Sequence, residues 1–185
     1  IGWRTIDDTN KMIEIAQTKK RAVVIGGGLL GLECARGLLD QGMEVTVLHL
    51  ADWLMEMQLD RKAGEMLKAD LEKQGMKIEL QANSKEIIGD KDVEAIKLAD
   101  GRVIETDLVV MAVGIRPYTE VAKDSGLDVN RGIVVNDYMQ TSDSHIYAVG
   151  ECAEHDGKVY GLVAPLYEQG KVLADYLTGK ETKGY

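Results

Sequence analysis

The chain has 185 residues, 45% of them hydrophobic and 29% charged, enough to bury the core of one α/β domain or two small lobes. Twenty-two basic residues against 31 acidic ones leave a formal net charge of −9. That balance speaks against nucleic-acid partners and against adsorption to an anionic membrane, since both need a basic face.

Thr5-Ile6-Asp7-Asp8 has the form of a capping box with Asp in place of Glu. It predicts a helix to about Lys19 with Ile6, Met12, Ile13 and Ala16 as the apolar stripe. Ala22–Ile25 reads as a buried strand, Gly26-Gly27-Gly28 as a turn, and Leu29 to about Gln41 as a helix closed by Gly42. Val45–Leu48 is a second buried strand, so this run is one parallel, right-handed βαβ unit. A third helix fits Asp60–Gln74, closed by Gly75, and Met76–Leu80 adds a further parallel strand. Lys85–Ile88, Val93–Leu98 and Val103–Glu105 alternate apolar and polar between Gly-Asp and Asp-Gly pairs, the pattern of a three-stranded antiparallel meander. Leu108–Ala112 is continuously apolar and returns to the parallel sheet. Beyond Pro117 the pattern gives a short helix near Glu120–Ser125 and a strand near Ile133–Val135. It ends with a buried strand over Ile146–Val149 and a helix with Pro165 in its first turn, running to about Leu177. The predicted fold class is α/β.

Cys34 and Cys152 form no CxxC pair, so neither a redox dithiol nor a metal site is read, and two reduced thiols fit a cytoplasmic setting. No apolar run approaches the roughly 20 residues that span a bilayer, and no signal peptide is visible. The first residue is Ile1, which reads as a piece of a longer protein.

Gly26, Gly28 and Gly31 satisfy G-x-G-x-x-G between a strand and a helix, the context in which that pattern carries meaning. Gly26 allows the tight turn, Gly28 lets the backbone approach a pyrophosphate, and Gly31 lets helix and strand pack closely. The helix start at Leu29 and Leu30 offers unpaired N–H groups to the phosphates of NAD(H) or NADP(H). His49 stands where an acid would bind the ribose 2′-hydroxyl, and no Arg or Lys follows until Arg61. The missing cationic cluster favours NADH, although His49 would tolerate either cofactor. Glu33 reads either as a carboxylate stabilised near a helix N-terminus or as a contact to the nicotinamide end. Gly150-Glu151, after the last strand, offers an amide for a phosphate and an acid for a polyol. Met55, Met57 and Met66 read as adaptable packing beneath a helix, and Trp53 as a half-exposed anchor beside the adenosine pocket.

In order, GGGLLGLE, VTVLHLADWLM, DGRVIETDLVVMAVGIRP and TSDSHIYAVGECAEH resemble the two-dinucleotide flavoproteins of the pyridine-nucleotide oxidoreductase family. Within that family, VTVLHLADWLMEMQLD and YAVGECAEHDGKVYGLVAPLYEQG are similar to the large subunits of assimilatory NAD(P)H nitrite reductases. The resemblance implies a Rossmann-like NAD(P)H-binding domain over 21–114, entered by a connector helix within 1–20. The C-terminal part of an FAD domain then covers 115–185. By position, Gly26, Gly28 and Gly31 would hold the NAD(P)H pyrophosphate, with Glu33 near the nicotinamide and His49 by the adenosine ribose. Ala112 and Gly114 would lie at the strand end joining the nicotinamide and flavin parts. Gly150 and Glu151 would contact the FAD pyrophosphate and ribityl chain, and the backbone at Leu162 and Val163 would face the flavin ring. His49, Glu151 and Tyr118 depart from the residues frequent in the family.

The same resemblance implies hydride transfer from NAD(P)H to FAD and no side chain as catalytic acid or base. Electrons would then pass to iron–sulfur and sirohaem modules that reduce nitrite to ammonia. Partners would be an N-terminal FAD segment absent here and downstream redox domains or a small subunit. A piece holding only these parts is expected to be inactive by itself and to bind FAD poorly, and its exposed apolar surface would invite homodimerisation. Rival readings are a rubredoxin, ferredoxin or disulfide reductase of the same family, or a non-catalytic NAD(H)-binding regulatory module.

Overall fold

In the computed structural model, which describes residues 1–185, Thr5 Oγ1 accepts the Asp8 amide while the Asp8 carboxylate accepts the Thr5 amide. The capping box therefore forms and starts α1 (Ile6–Ala16). The helix stops three residues short of Lys19, because Gln17 N–H turns to the carbonyls of Glu14 and Ile15. Its packed face is Met12, Ile15 and Ala16, while Ile6 and Ile13 are exposed. Ile13 lies a quarter-turn off the stripe that Met12 sets.

The chain divides into two compact units, Ile1–Gly114 and Ile115–Tyr185. The first unit is built on a parallel sheet of β1 (Arg21–Ile25), β2 (Glu44–Leu48), β3 (Lys77–Glu79) and β7 (Leu108–Met111), in the order β3-β2-β1-β7. Between the strands run α2 (Leu29–Asp40) and α3 (Arg61–Lys73). The antiparallel meander is β4 (Ser84–Ile88), β5 (Ala95–Leu98) and β6 (Val103–Glu105).

The two-residue period of the strands sorts their side chains onto two faces. Ala22 and Val24 of β1, Val45 and Val47 of β2, and Leu108 and Val110 of β7 share one core with Cys34, Ala35 and Leu38 of α2. Val23, Leu48 and Val109 point the other way, into a second core with Ile96 and Leu98 of β5. Each fully buried Val or Leu of this set stabilises the fold by about 1.5–3 kcal/mol. The parallel strands are buried on both faces, which is why they read as unbroken apolar runs.

The N-terminal edge of the sheet is fastened by an ion pair. Arg21 Nη2 donates to Asp107 Oδ1 at 2.9 Å, the Arg21 amide donates to Oδ2 at 2.9 Å, and the same guanidinium also meets Glu105.

The second unit contains α4 (Glu120–Asp124), β8 (Ile133–Val135), β9 (Ala153–His155), β10 (Lys158–Val159) and α5 (Val163–Leu177). β8 pairs parallel to β9, and β9 antiparallel to β10. The expected strand over Ile146–Val149 does not form. Only an isolated bridge joins Tyr147 to Gln140, and Ile146 and Val149 are exposed, so this apolar run has no ladder partner to fix it as a strand. Sequence reasoning also missed the β9–β10 hairpin. Its Asp156-Gly157 turn has φ of +48° and +69°, the primed geometry that Asp-Gly favours. Glu154 of β9 is buried and accepts the amides of Arg131 and Gly132, both at 2.8 Å, which holds its carboxyl below the usual range. No helix is long and apolar enough to cross a membrane.

The hydrogen-bonded Arg21 guanidinium, helped by the amides of Arg21 and Lys20, holds the Asp107 carboxyl well below the usual carboxylate range. A depressed folded-state pKa contributes stability that is complete above about pH 4 and fades as pH falls through the folded value. Asp107→Asn is therefore expected to lower stability by about 1 kcal/mol near neutral pH, a modest figure because the guanidinium is partly solvated. Urea unfolding from neutral pH downward should show that difference shrinking below about pH 4.

Candidate functional site

The carboxyl ends of β1, β2 and β7 open into a cavity of about 670 Å³, lined by Ile25–Leu29, Leu48–Leu50, Glu56–Gln58, Ala82–Ile87 and Met111–Gly114. Ligands of open α/β sheets bind at this end of the strands.

The glycine turn is shaped by what a side chain would strike. Gly26 has φ +119°, and a Cβ there would lie 2.2 Å from the Ala112 carbonyl oxygen. A Cβ at Gly31 would lie 1.9 Å from the Gly26 carbonyl oxygen. Gly27 is equally constrained, since its Cβ would meet Leu54 Cδ2 at 2.6 Å and His49 Cγ at 2.8 Å. Gly28 differs: it has an ordinary φ of −88° and nothing within 4 Å of its Cβ position. It is the N-cap of α2, has no side-chain cap and lines the cavity. A helix leaves its first amides without intrahelical partners, and at the start of α2 Gly28 and Leu29 border the cavity.

One further observation fits a bound dinucleotide. A Cβ at position 28 would occupy open cavity space and no protein atom, which is the requirement for close approach by a phosphate. Ser84 is among the residues lining the same cavity, but its Oγ is closed off from solvent and has no hydrogen-bond partner within the protein.

Of the sequence-derived candidates, Gly26, Gly28, Leu29, His49, Ala112 and Gly114 line this cavity, and Gly31 supports it from below. Leu30 and Glu33 are exposed on α2 and do not line it. The buried His49 is not an open ribose contact. Its Nδ1 accepts the Gly27 amide at 3.0 Å, and its Nε2 lies 2.9 Å from Glu56 Oε2.

Trp53 is half-exposed, as expected, and does not itself line the cavity. It packs against Gly64 of α3, its Nε1 donates to the Leu59 carbonyl, and Arg61 sits 4.9 Å above its ring. Of the methionines, Met55 joins the core, Met57 is exposed and lines the cavity, and Met66 is exposed on α3. The packing role expected for all three holds for Met55 alone. Cys34 is buried 4.0 Å from Met12 Sδ, and burial pushes its thiol up to about 11, which makes it inert.

In the second unit, the Gly150 amide donates to Oε1 of the fully buried Gln169 at 3.1 Å, so a phosphate there has to compete for it. Leu162 is the N-cap of α5 without a side-chain cap, and Val163 opens the helix; both are exposed. Gly27, Glu56, Ser84 and Gln169 were not singled out by sequence reasoning. Only the unbroken run of three glycines hinted at any of them.

Gly31→Ala is expected to destabilise the chain by about 3 kcal/mol, because its methyl meets backbone and not a movable side chain. Gly28→Ala should stay within about 1 kcal/mol of the parent. Urea denaturation of both variants measures the contrast.

The model of the pyridine nucleotide-disulphide oxidoreductase family matches residues 1–170. Nitrite reductase [NAD(P)H] of Bacillus subtilis is 61% identical over 184 residues, covering 100% of this chain and 23% of that protein. The nitrite reductase (NADH) large subunit of Escherichia coli is 44% identical, covering 97% of this chain and 22% of its own length. The crystal structure of a ferredoxin reductase from Rhodopseudomonas palustris superposes with a TM-score of 0.92 at 31% identity, over 100% of this chain and 47% of that one. The chain thus spans under a quarter of the length of these two nitrite reductases, and it belongs to the pyridine nucleotide-disulphide oxidoreductase family.

Proposed function

We propose that this chain is the NAD(P)H-binding part of an FAD-dependent oxidoreductase that feeds electrons to nitrite reduction. The observation that carries this reading is the uncapped start of α2 at Gly28, opening into the cavity at the strand ends. Its amides would bind the pyrophosphate, with Gly26 and Gly31 keeping the turn and helix close enough to aim them. Leu29 and Leu30 belong to the same first turn, and Ala112 and Gly114 would border the nicotinamide end of the cavity.

When bound, FAD supplies the two-electron acceptor chemistry that takes hydride from the nicotinamide. This chain's part in that step is to bind, orient and exclude water. Gly150 and Glu151 would contact the flavin nucleotide, and the uncapped N-terminus of α5 at Leu162 and Val163 would stabilise negative charge beside it. The kinship at 61% identity with a nitrite reductase supports nitrite as the final acceptor in the whole protein, through sirohaem and iron–sulfur centres outside this chain. A small subunit is the corresponding protein partner.

Calorimetric titration of the chain with NADH tests the central claim. Binding is expected, and Gly28→Ala should weaken it about tenfold, or 1.4 kcal/mol, without unfolding the protein. In the full-length protein, NADH is expected to bleach the flavin and support nitrite consumption. Reduction of rubredoxin or ferredoxin instead of nitrite would transfer the assignment to another branch of the family. A nucleotide that binds without any flavin reduction would make the chain a regulatory module.

A further inference from the structure

The strand-end position that reads the adenosine ribose is filled here by a side chain that is already committed. A backbone amide only donates, so His49 Nδ1, which accepts the Gly27 N–H, carries no proton. The ring proton is therefore on Nε2, where it is donated to Glu56 Oε2 at 2.9 Å. Both nitrogens of this buried ring are spent, and no ring atom is left for a ribose hydroxyl.

Glu56 is placed to take over that task. Its side chain is 35% exposed and lines the cavity. The loop that carries it is fixed to the glycine turn: the Met55 amide donates to the Gly27 carbonyl at 3.1 Å, and Leu54, fully buried, packs on Gly27. Gly27 thus holds the histidine through its N–H and the glutamate's loop through its C=O. With Oε2 oriented by His49, Oε1 is left for a ligand.

We infer that Glu56, held by His49, reads the ribose 2′-hydroxyl and makes the site select NADH over NADPH. The inference rests on the cavity being the dinucleotide site proposed above. A carboxylate is an acceptor only, so it pairs with a hydroxyl that donates, whereas a 2′-phosphate dianion offers no proton at neutral pH and is repelled. The first cation after the strand, Arg61, is occupied by Asp52 and by the face of Trp53. Lys85 of β4 is the one cation in the cavity wall, and Glu86 follows it directly. Glu56 is the specificity-determining group, and His49 is a positioning residue that touches no ligand.

The test is equilibrium titration of the purified chain with NADH and, separately, with NADPH. The parent is expected to bind NADH at least about tenfold more tightly. Glu56→Gln keeps an acceptor for the His49 Nε2–H but removes the charge. It should narrow the NADH-to-NADPH ratio about tenfold, partly by tightening NADPH. His49→Asn keeps an acceptor for the Gly27 amide but releases Glu56, and should narrow the ratio in the same direction with its melting temperature retained. Gly28→Ala, by contrast, should weaken both nucleotides together and leave the ratio intact. Equal affinities in the parent, or a ratio unmoved by Glu56→Gln, would overturn the assignment to Glu56 alone. Absence of binding by either nucleotide would overturn the dinucleotide site itself, and with it this inference.

Discussion

A Cβ at position 31 would sit 1.9 Å from the Gly26 carbonyl oxygen, and one at position 26 would sit 2.2 Å from the Ala112 carbonyl oxygen. These approaches press the end of β7, the turn after β1 and the first turn of α2 into one stack. No other residue type fits at either place, so the geometry is set by missing side chains and not by an added interaction. Because the stack is this tight, α2 begins close to the strand ends, and its uncapped start at Gly28 and Leu29 borders the cavity. Gly28 alone among the three motif glycines has no packing reason to lack a side chain. Its place at the cavity, and not the packing of the fold, is what distinguishes it from Gly26 and Gly31.

That arrangement also reconciles an acidic chain with the phosphate-bearing ligand proposed for it. With a net charge of −9, the protein does not attract anions by its overall field. Amides at a helix start supply local positive potential that needs no lysine and falls off within a turn. The same logic extends to selectivity: a site that binds phosphate through neutral donors can place a carboxylate nearby, which a lysine-based site would neutralise. Here Glu56 lies in the wall of the cavity that the α2 start opens onto.

Most of the first unit was legible in the sequence because its signals are local. Val23, Val24, Val45 and Val47 are buried from both sides, so an apolar run suffices to mark a strand. Thr5 and Asp8 cap each other within four residues, and Gly42 and Gly75, both at positive φ, end helices where glycine is expected. What escaped notice depends on distance in sequence. His49 looked like a ligand residue because nothing local reveals that the Gly27 amide, 22 residues earlier, occupies its Nδ1. Glu56 carries no local signal either, since its partner is the buried His49 seven residues earlier. The Ile146–Val149 run misled in the opposite sense: its composition is that of a strand, but a strand also needs a neighbour to pair with. The β9–β10 hairpin was missed because two- and three-residue strands carry too little pattern to detect, even around an Asp-Gly turn.

The two units share a device that bears on how the loops do their work. In the first, the Gly27 amide is held by the buried His49; in the second, the Gly150 amide is held by the buried Gln169. In both, a buried side-chain acceptor arrives from elsewhere in the chain, 22 residues away in one case and 19 in the other. Gly150, at φ +99°, has more conformational freedom than any other residue type could have there, and an anchored amide removes that freedom before a ligand arrives. Ordering a loop in advance lowers the entropy lost on binding. Gly27 carries the idea further, since its tether is also what fixes the charge that discriminates between two cofactors differing by one phosphate. Rigidity of the turn and selectivity of the site then come from the same imidazole, and a change at His49 that spared the fold would still be felt in the choice of nucleotide.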